Sequence, residues 1–346
     1  MKQTRVFIVD DSAVSRMALR QAVEGDGRAR VVGEAIDGHQ ALERIHDAEP
    51  DIVLMDIMMA KMDGIEATRA LMRSFPRPVL IISDLVGRDC DLNFKALEAG
   101  ALDLIRKPSA LELADEAAVG RLRRKVRLLA GVPVVTRHQR RTRPPRTELR
   151  TAIGDGTSIG EVSVVCIGAS TGGPAAVLRV LAALNGGSPW PILLVQHTIA
   201  GFTAGMVKWL GHASGLEVVV AEDRVRPRPG VIYVAPDDHH LEFRGERMAL
   251  TVGPPLGGHR PAVDALFDSI ADGGAAEGAI AVLMSGMGSD GARGLQRIRR
   301  AGGWTIAQDE ASSVVYGMPK VAVELEAACE VLSVDGIAAR LVQCAT

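Results

Sequence analysis

Cysteine is scarce in this chain. Cys90, Cys166, Cys329 and Cys344 are the whole supply, and no two stand at C-x-x-C spacing. That fits a reduced cytosolic protein better than a disulfide framework. Long apolar runs are missing too. None approaches the ~20 residues of a membrane span, and the run inside MKQTRVFIVDDS is too short for a signal peptide. Neither sign of charge dominates. Forty Lys and Arg face 42 Asp and Glu, a net charge of −2, so the whole molecule is not an electrostatic binder of DNA or membrane. The expectation is a cytoplasmic protein with no membrane insertion and no nucleic-acid partner. What is plentiful is apolar side chain, 47% of 346 residues, enough to core two domains of ordinary size.

Residues 1–128 alternate between short apolar runs and segments of helical period. RVFIV (5–9), VVGEA (31–35), DIVLMD (51–56), PVLIIS (78–83) and ALDLIR (101–106) read as strands, each followed by a helix. The last helix is expected from about 110 to 128. Five βα units of this kind predict a doubly wound parallel sheet, in which ligands sit beyond the carboxyl ends of the strands. Asp10 and Asp11 follow the first strand, Asp56 ends the third, Ser83 ends the fourth and Lys107 follows the fifth. Three carboxylates at one edge repel each other and invite a hard cation such as Mg²⁺, which takes oxygen ligands. A lysine and a hydroxyl beside them can pair with phosphate oxygens.

Residues 129–160 break both periodicities. They carry prolines, glycines and six arginines between Arg137 and Arg150, with Glu148 the one acid in that stretch. No aromatic residue interleaves the arginines, so bases would have no stacking platform. The segment reads as an interdomain tether.

Residues 161–346 predict a second, mostly parallel α/β domain. EVSVVCIG (161–168) is an apolar strand that stops at a glycine turn bearing Ser170, and AAVLRVLAAL (175–184) continues as a helix. Gly168, Ser170 and Gly172 satisfy the G-x-S-x-G spelling of a nucleophile elbow. Glycines beside the serine leave room for a substrate, and the N–H groups of the following helix N-terminus favour a developing oxyanion. PILLVQH (191–197) delivers His197 at a strand end, and AIAVLMSGMGSDG (279–291) ends in a turn that presents Asp290. HLEFRGERMALTV (240–252) alternates around Arg244-Gly245 and predicts an antiparallel hairpin. A serine needs a base to take its proton, and the base needs a carboxylate to fix its tautomer. The order Ser…His…Asp differs from that of the α/β-hydrolases. A rival site exists on paper: PDDHH (236–240) with His259 has the composition of a metal cluster. Adjacent residues on an extended segment point opposite ways, so Asp237, Asp238, His239 and His240 cannot all face one ion. Pro255, Gly257 and Gly258 place His259 on a loop near the substrate instead.

Two resemblances follow from these motifs. VDDS, DIMMAKMDG, IIS and IRKP resemble the receiver domain of two-component response regulators, a flavodoxin-like fold. The resemblance implies that Asp56 accepts a phosphoryl group from a sensor histidine kinase. It also implies that Asp10, Asp11 and Asp56 hold Mg²⁺ and that Ser83 and Lys107 read the phosphate. Ala60 stands where that family usually has proline, and Leu104 where it has an aromatic. Neither replaces a chemical group, so phosphorylation is expected to survive, with weaker coupling at Leu104. IGASTGGP, LVQH, VIYVAP, GGHRPAVDALF, SGMGSDGARG and AQDEASSVVYGMP resemble the catalytic domain of chemotaxis protein-glutamate methylesterases. That implies Ser170 as nucleophile, His197 as base, Asp290 as acid and the Met287 N–H in the oxyanion site. The implied substrates are γ-glutamyl methyl esters on the cytoplasmic domains of methylated chemoreceptors, with deamidation of receptor glutamines as the same acyl chemistry. The alternative from another class is a response regulator whose second domain binds a partner without catalysis.

Overall fold

The computed structural model describes residues 3–83, 90–109, 112–113, 115–134, 161–184 and 187–345. The chain divides into two compact units, Met1–Thr147 and Glu148–Thr346.

In the first unit, β1 (Thr4–Val9), α1 (Ala13–Glu24), β2 (Ala29–Ala35), α2 (Gly38–Ala48), β3 (Ile52–Asp56) and α3 (Gly64–Ser74) alternate as expected. They continue with β4 (Val79–Ser83), α4 (Cys90–Glu98), β5 (Asp103–Arg106) and α5 (Glu116–Ala130). The five strands lie in the order β2-β1-β3-β4-β5, and every neighbouring pair is parallel. Strands β3 and β4 are buried along their whole length, which is why they read as unbroken apolar runs rather than alternations. Helix starts follow side-chain caps. Asp63 Oδ1 accepts from the N–H groups of Ile65 and Glu66 at 2.9 and 2.8 Å, and Asp37 accepts from Gln40 at 2.9 Å. Helix α5 departs from its expected bounds. It starts at Glu116 because Asp115 accepts from Ala117 N, while upstream Ser109 turns back onto Glu112. The tether expected over 129–160 begins inside α5, and 135–160 lie outside the described residues.

The second unit opens with β6 (Val164–Ala169), α6 (Gly173–Ala183), β7 (Ile192–Gln196), α7 (Thr203–Ser214), β8 (Glu217–Val220) and β9 (Val231–Val234). The hairpin β10 (His240–Arg244) and β11 (Arg247–Thr251) follows, then α8 (Val263–Asp272), β12 (Ala279–Leu283), α9 (Ala292–Arg300) and β13 (Trp304–Gln308). Helix α10 (Met318–Glu324), β14 (Glu330–Leu332) and α11 (Val334–Ala345) close it. Seven strands form one sheet in the order β14-β13-β12-β6-β7-β9-β8, parallel at each pairing, and the hairpin stands apart as its own antiparallel sheet. The hairpin turns at Gly245 and Glu246, both at positive φ, as a two-residue primed turn requires. It docks on α8 through Phe243 N, which donates to Ser269 Oγ at 2.8 Å. The core beneath includes Cys166, Leu193, Leu266, Phe267, Ala281 and Leu283, none of them exposed. Among the described residues, no helix is long and apolar enough to cross a membrane.

Candidate active site

The direction of winding reverses between β6 and β12. These strands pair in parallel, with Leu283 opposite Gly168. A crevice therefore opens beyond their carboxyl ends, and both chains run into it, one carrying Ser170 and the other Ser285 to Met287. On the far side of β6, Ala169 pairs with Gln196 of β7, so the next residues on the two strands, Ser170 and His197, leave side by side. The His197 N–H donates to the Ala169 carbonyl at 2.9 Å.

The Ser170 turn is held from three directions. Its N–H donates to the Ser285 carbonyl at 2.9 Å. Its carbonyl accepts from Gln196 Nε2 at 2.8 Å and from Gly173 N at 2.8 Å. Ser285 Oγ donates to the Thr171 carbonyl at 2.8 Å and accepts from Val315 N at 3.0 Å. Two glycines are required by space. Gly172 sits at φ +76°, and a Cβ there would lie 2.4 Å from the Val314 Cβ. A Cβ on Gly286 would lie 2.7 Å from the Ser170 Cβ and 2.2 Å from Met318 Sδ. The loop after β12 can thus lie directly against the serine. Met287 follows, and its N–H meets no acceptor among the described residues. Helix α6 begins with no side-chain cap; the Gly173 N–H is taken by the Ser170 carbonyl and Pro174 has none, so in its first turn the Ala175 N–H is the one left open to an anion among the described residues.

His197 Nε2 and Asp290 Oδ2 lie 2.8 Å apart, with side chains 7% and 5% exposed. Asp290 is backed by the first turn of α8: Val263 N donates to Oδ2 at 2.7 Å and Asp264 N to Oδ1 at 2.9 Å. Burial alone would raise the Asp290 carboxyl. The His197 hydrogen bond and charge, with the two N–H groups, outweigh it and hold the group below the usual carboxylate range. An ionised Asp290 keeps the proton on Nε2. The other ring nitrogen, Nδ1, is buried and has no hydrogen-bond partner, which leaves its lone pair as the basic site. The arrangement can therefore take a proton from an adjacent hydroxyl and stabilise the resulting imidazolium.

His259, grouped on paper with PDDHH, arrives here by another route. Its ring stacks on that of His197, with centroids 3.8 Å apart and planes inclined by 4°. The rest of the cluster disperses. Asp237 accepts from Gly201 N and Thr203 Oγ1 at 2.7 and 2.6 Å. His239 Nδ1 meets the Asp237 carbonyl, and His240 bonds the Pro254 carbonyl and Ala262 N. These are structural contacts that anchor loops. Sequence reasoning did not single out the roles of Gln196, Ser285, Val263 and Asp264. The last two act through backbone N–H groups, which no side-chain pattern records.

In the first unit the reversal falls between β1 and β3, and the acidic residues gather there. Asp10, Asp11 and Asp56 each offer an oxygen, all within 4.8 Å of one another, and among the described residues this is the group suited to a metal ion. Lys107 Nζ bridges Asp10 at 2.8 Å and Asp56 at 2.9 Å. Asp10 is further fixed by Ser15 Oγ at 2.6 Å and Ser12 N at 2.9 Å. Burial raises the Asp56 carboxyl above its ordinary value, and the Asp10 charge adds to this against the pull of Lys107. Burial would lower the Lys107 ammonium, but its bonds to the two carboxylates raise it. Ser83 is fully buried at the end of β4, and its carbonyl accepts from Lys107 N at 3.0 Å. Leu104 is buried and Ala60 exposed.

Residues 165–341 match the CheB methylesterase family, and residues 6–118 match the response regulator receiver domain. A protein-glutamate methylesterase/protein-glutamine glutaminase of Myxococcus xanthus is 43% identical over 339 residues, 97% of this chain and 96% of that one. One from Pseudomonas aeruginosa is 40% identical over 344 residues, 98% of this chain and 96% of that one. The solved catalytic domain of Thermotoga maritima CheB methylesterase is 35% identical, with a TM-score of 0.50, covering 53% of this chain and 99% of that one. Catalytic relatives of full length favour an enzyme over a partner-binding output domain. With a methylesterase domain joined to a receiver domain, the chain belongs to the CheB methylesterase family.

Proposed function

We propose that Ser170 is the nucleophile of a protein-glutamate methylesterase, with His197 as its base and Asp290 as the orienting acid. The observation that carries this reading is the buried His197–Asp290 pair at 2.8 Å beside the strand end that presents Ser170. His197 Nδ1 takes the Ser170 proton as Oγ attacks the ester carbonyl of a γ-glutamyl methyl ester. The oxyanion faces the Met287 N–H and the start of α6. Collapse of the tetrahedral species expels methanol, which receives the proton from His197. Water then enters, gives its proton to His197 and releases the glutamate and Ser170. A glutamine side chain would follow the same course with ammonia as leaving group. The substrates are methylated chemoreceptor cytoplasmic domains, and the enzyme works in the cytoplasm.

The receiver controls this chemistry. Asp56 accepts a phosphoryl group from a sensor histidine kinase, and Lys107 and Ser83 contact the phosphoryl oxygens. Asp10, Asp11 and Asp56 would hold a Mg²⁺ ion. Bound there, it would supply charge neutralisation for phosphoryl transfer, and the three clustered carboxylates are hard oxygen donors that suit it. The catalytic step needs no metal. The test is methanol release from methylated receptor by the full chain and by Ser170→Ala, with and without a small-molecule phosphodonor. Release that rises with phosphodonor and vanishes in a folded Ser170→Ala chain is expected. Appreciable release by that variant would overturn the assignment.

A further inference from the structure

Base catalysis by His197 requires Nδ1 to point at one place, yet among the described residues the only hydrogen-bond partner of its ring is Asp290, at Nε2. The outer torsion of a histidine is broad, so a ring fixed at one atom can still pivot about that contact. The His259 ring lies flat against it, at 3.8 Å and 4°. A parallel ring at van der Waals distance blocks tilting on that face. We infer that His259 is a positioning residue, its stacked ring setting the plane in which His197 Nδ1 faces Ser170. The inference rests on the proposed roles of Ser170 and His197.

The segment that carries His259 is built to hold it. Leu256 and His259 exchange two backbone hydrogen bonds at 3.0 and 2.9 Å around Gly257 and Gly258, both at positive φ. Arg260 Nη1 donates to the Gly253 carbonyl at 3.0 Å, tying the base of the turn. Two residues further on, Ala262 N donates to His240 Nδ1 at 3.2 Å. Val263 and Asp264 then give their N–H groups to Asp290. One short stretch, His259 to Asp264, thus fixes both the imidazole plane and the carboxylate that orients it. Charge fits the same role. The groups facing His259 are His197 and Asp290. Burial, with the His197 charge and against Asp290, pushes His259 down to about 4. At neutral pH it presents an uncharged π face to the imidazolium that His197 becomes.

The experiment compares His259→Ala, His259→Leu and His259→Phe with Ser170→Ala and wild type, all as full chains with phosphodonor. It reads kcat and KM for methanol release together with thermal melting. Loss of the stack is expected to lower kcat roughly 10- to 100-fold, the cost of a slightly misplaced catalytic group, with KM unchanged. His259→Leu keeps volume without a planar face and serves if His259→Ala fails to fold. His259→Phe restores a flat, uncharged ring and should recover most of kcat. Wild-type kcat in His259→Ala or His259→Leu while Ser170→Ala is inactive would overturn this inference and leave the triad standing. A Phe variant as poor as Leu, or a loss confined to KM, would also overturn it. Full activity in Ser170→Ala would instead remove the reading on which it rests.

Discussion

Two strand edges in one chain use the same topology for different chemistry. In each, a parallel sheet reverses its winding and opens a crevice, between β1 and β3 in one unit and between β6 and β12 in the other. The first crevice is filled with charge: three carboxylates and a lysine bridging two of them. The second carries a hydroxyl, two stacked imidazoles and a carboxylate bonded to one of them. The aspartates show the difference. Asp56 is buried near another acid, so its carboxyl is raised. Asp290 is as dry, but an imidazole and two helix N–H groups meet it, and it is lowered. A crowded acid edge suits a hard cation. An acid met by an imidazole and two N–H groups stays ionised and holds that ring in place. The residues that cap the strands, rather than the fold, select the reaction.

The sharpest way to break the comparison is at Ser170, the proposed nucleophile. Ser170→Ala should lower methanol release by ~10⁵-fold or more, and Asp290→Asn by ~10⁴-fold, as for other serine triads. Neither should alter phosphoryl uptake at Asp56, measured with a labelled phosphodonor. Gly286→Ala tests the close approach that this crevice needs. The added Cβ meets Ser170 and Met318, so a folded variant should lose roughly 10²-fold in kcat by displacing the nucleophile. Wild-type kcat there would refute the tight loop.

The acid edge gives a smaller effect. Asp56→Asn should remove the response to phosphodonor, a gain expected in the lower half of the ~5–150-fold range of coupling free energies. Initial rates with and without phosphodonor check this, alongside residues from about 155 onward expressed alone, which should exceed the unphosphorylated chain. The smallest effect is on stability. Burial raises Asp264 to about 6 from 3.8, against Gly294 N and with the nearby Asp290 and Asp268 charges. A carboxyl with a raised folded value favours the folded state least when ionised, so its penalty grows from pH 3.8 to about 6 and persists above. Asp264→Asn should therefore raise Tm by about 2–4 °C at pH 8, after discount for its partial exposure, and by nothing at pH 3.5. A Tm gain that is the same at both pH values would contradict the cause assigned.

Much of both edges was legible because the chemistry sits at strand ends. Asp10, Asp56, Lys107, Ser170 and His197 each stand where an apolar run stops, and parallel pairing brings such ends together. Strand β14 escaped notice because Glu330–Leu332 is three half-buried residues with no period to read. The start of α5 was misplaced because Asp115, not the apolar pattern, sets it. His259 was seen as a loop residue near the substrate, but its stacking depends on two glycines at positive φ and on the path into α8. The N–H groups on Asp290 belong to α8's backbone, so any residue but proline at 263 and 264 would supply them.

The most direct test of the central claim is occupancy of Ser170 against activity. A serine-directed phosphonate ester should attach at Ser170, located by peptide mass spectrometry, and methanol release should fall in proportion to the occupied fraction. The His197→Ala chain, lacking the base, should resist labelling. Undiminished methanol release from a chain whose Ser170 is fully occupied would contradict the account.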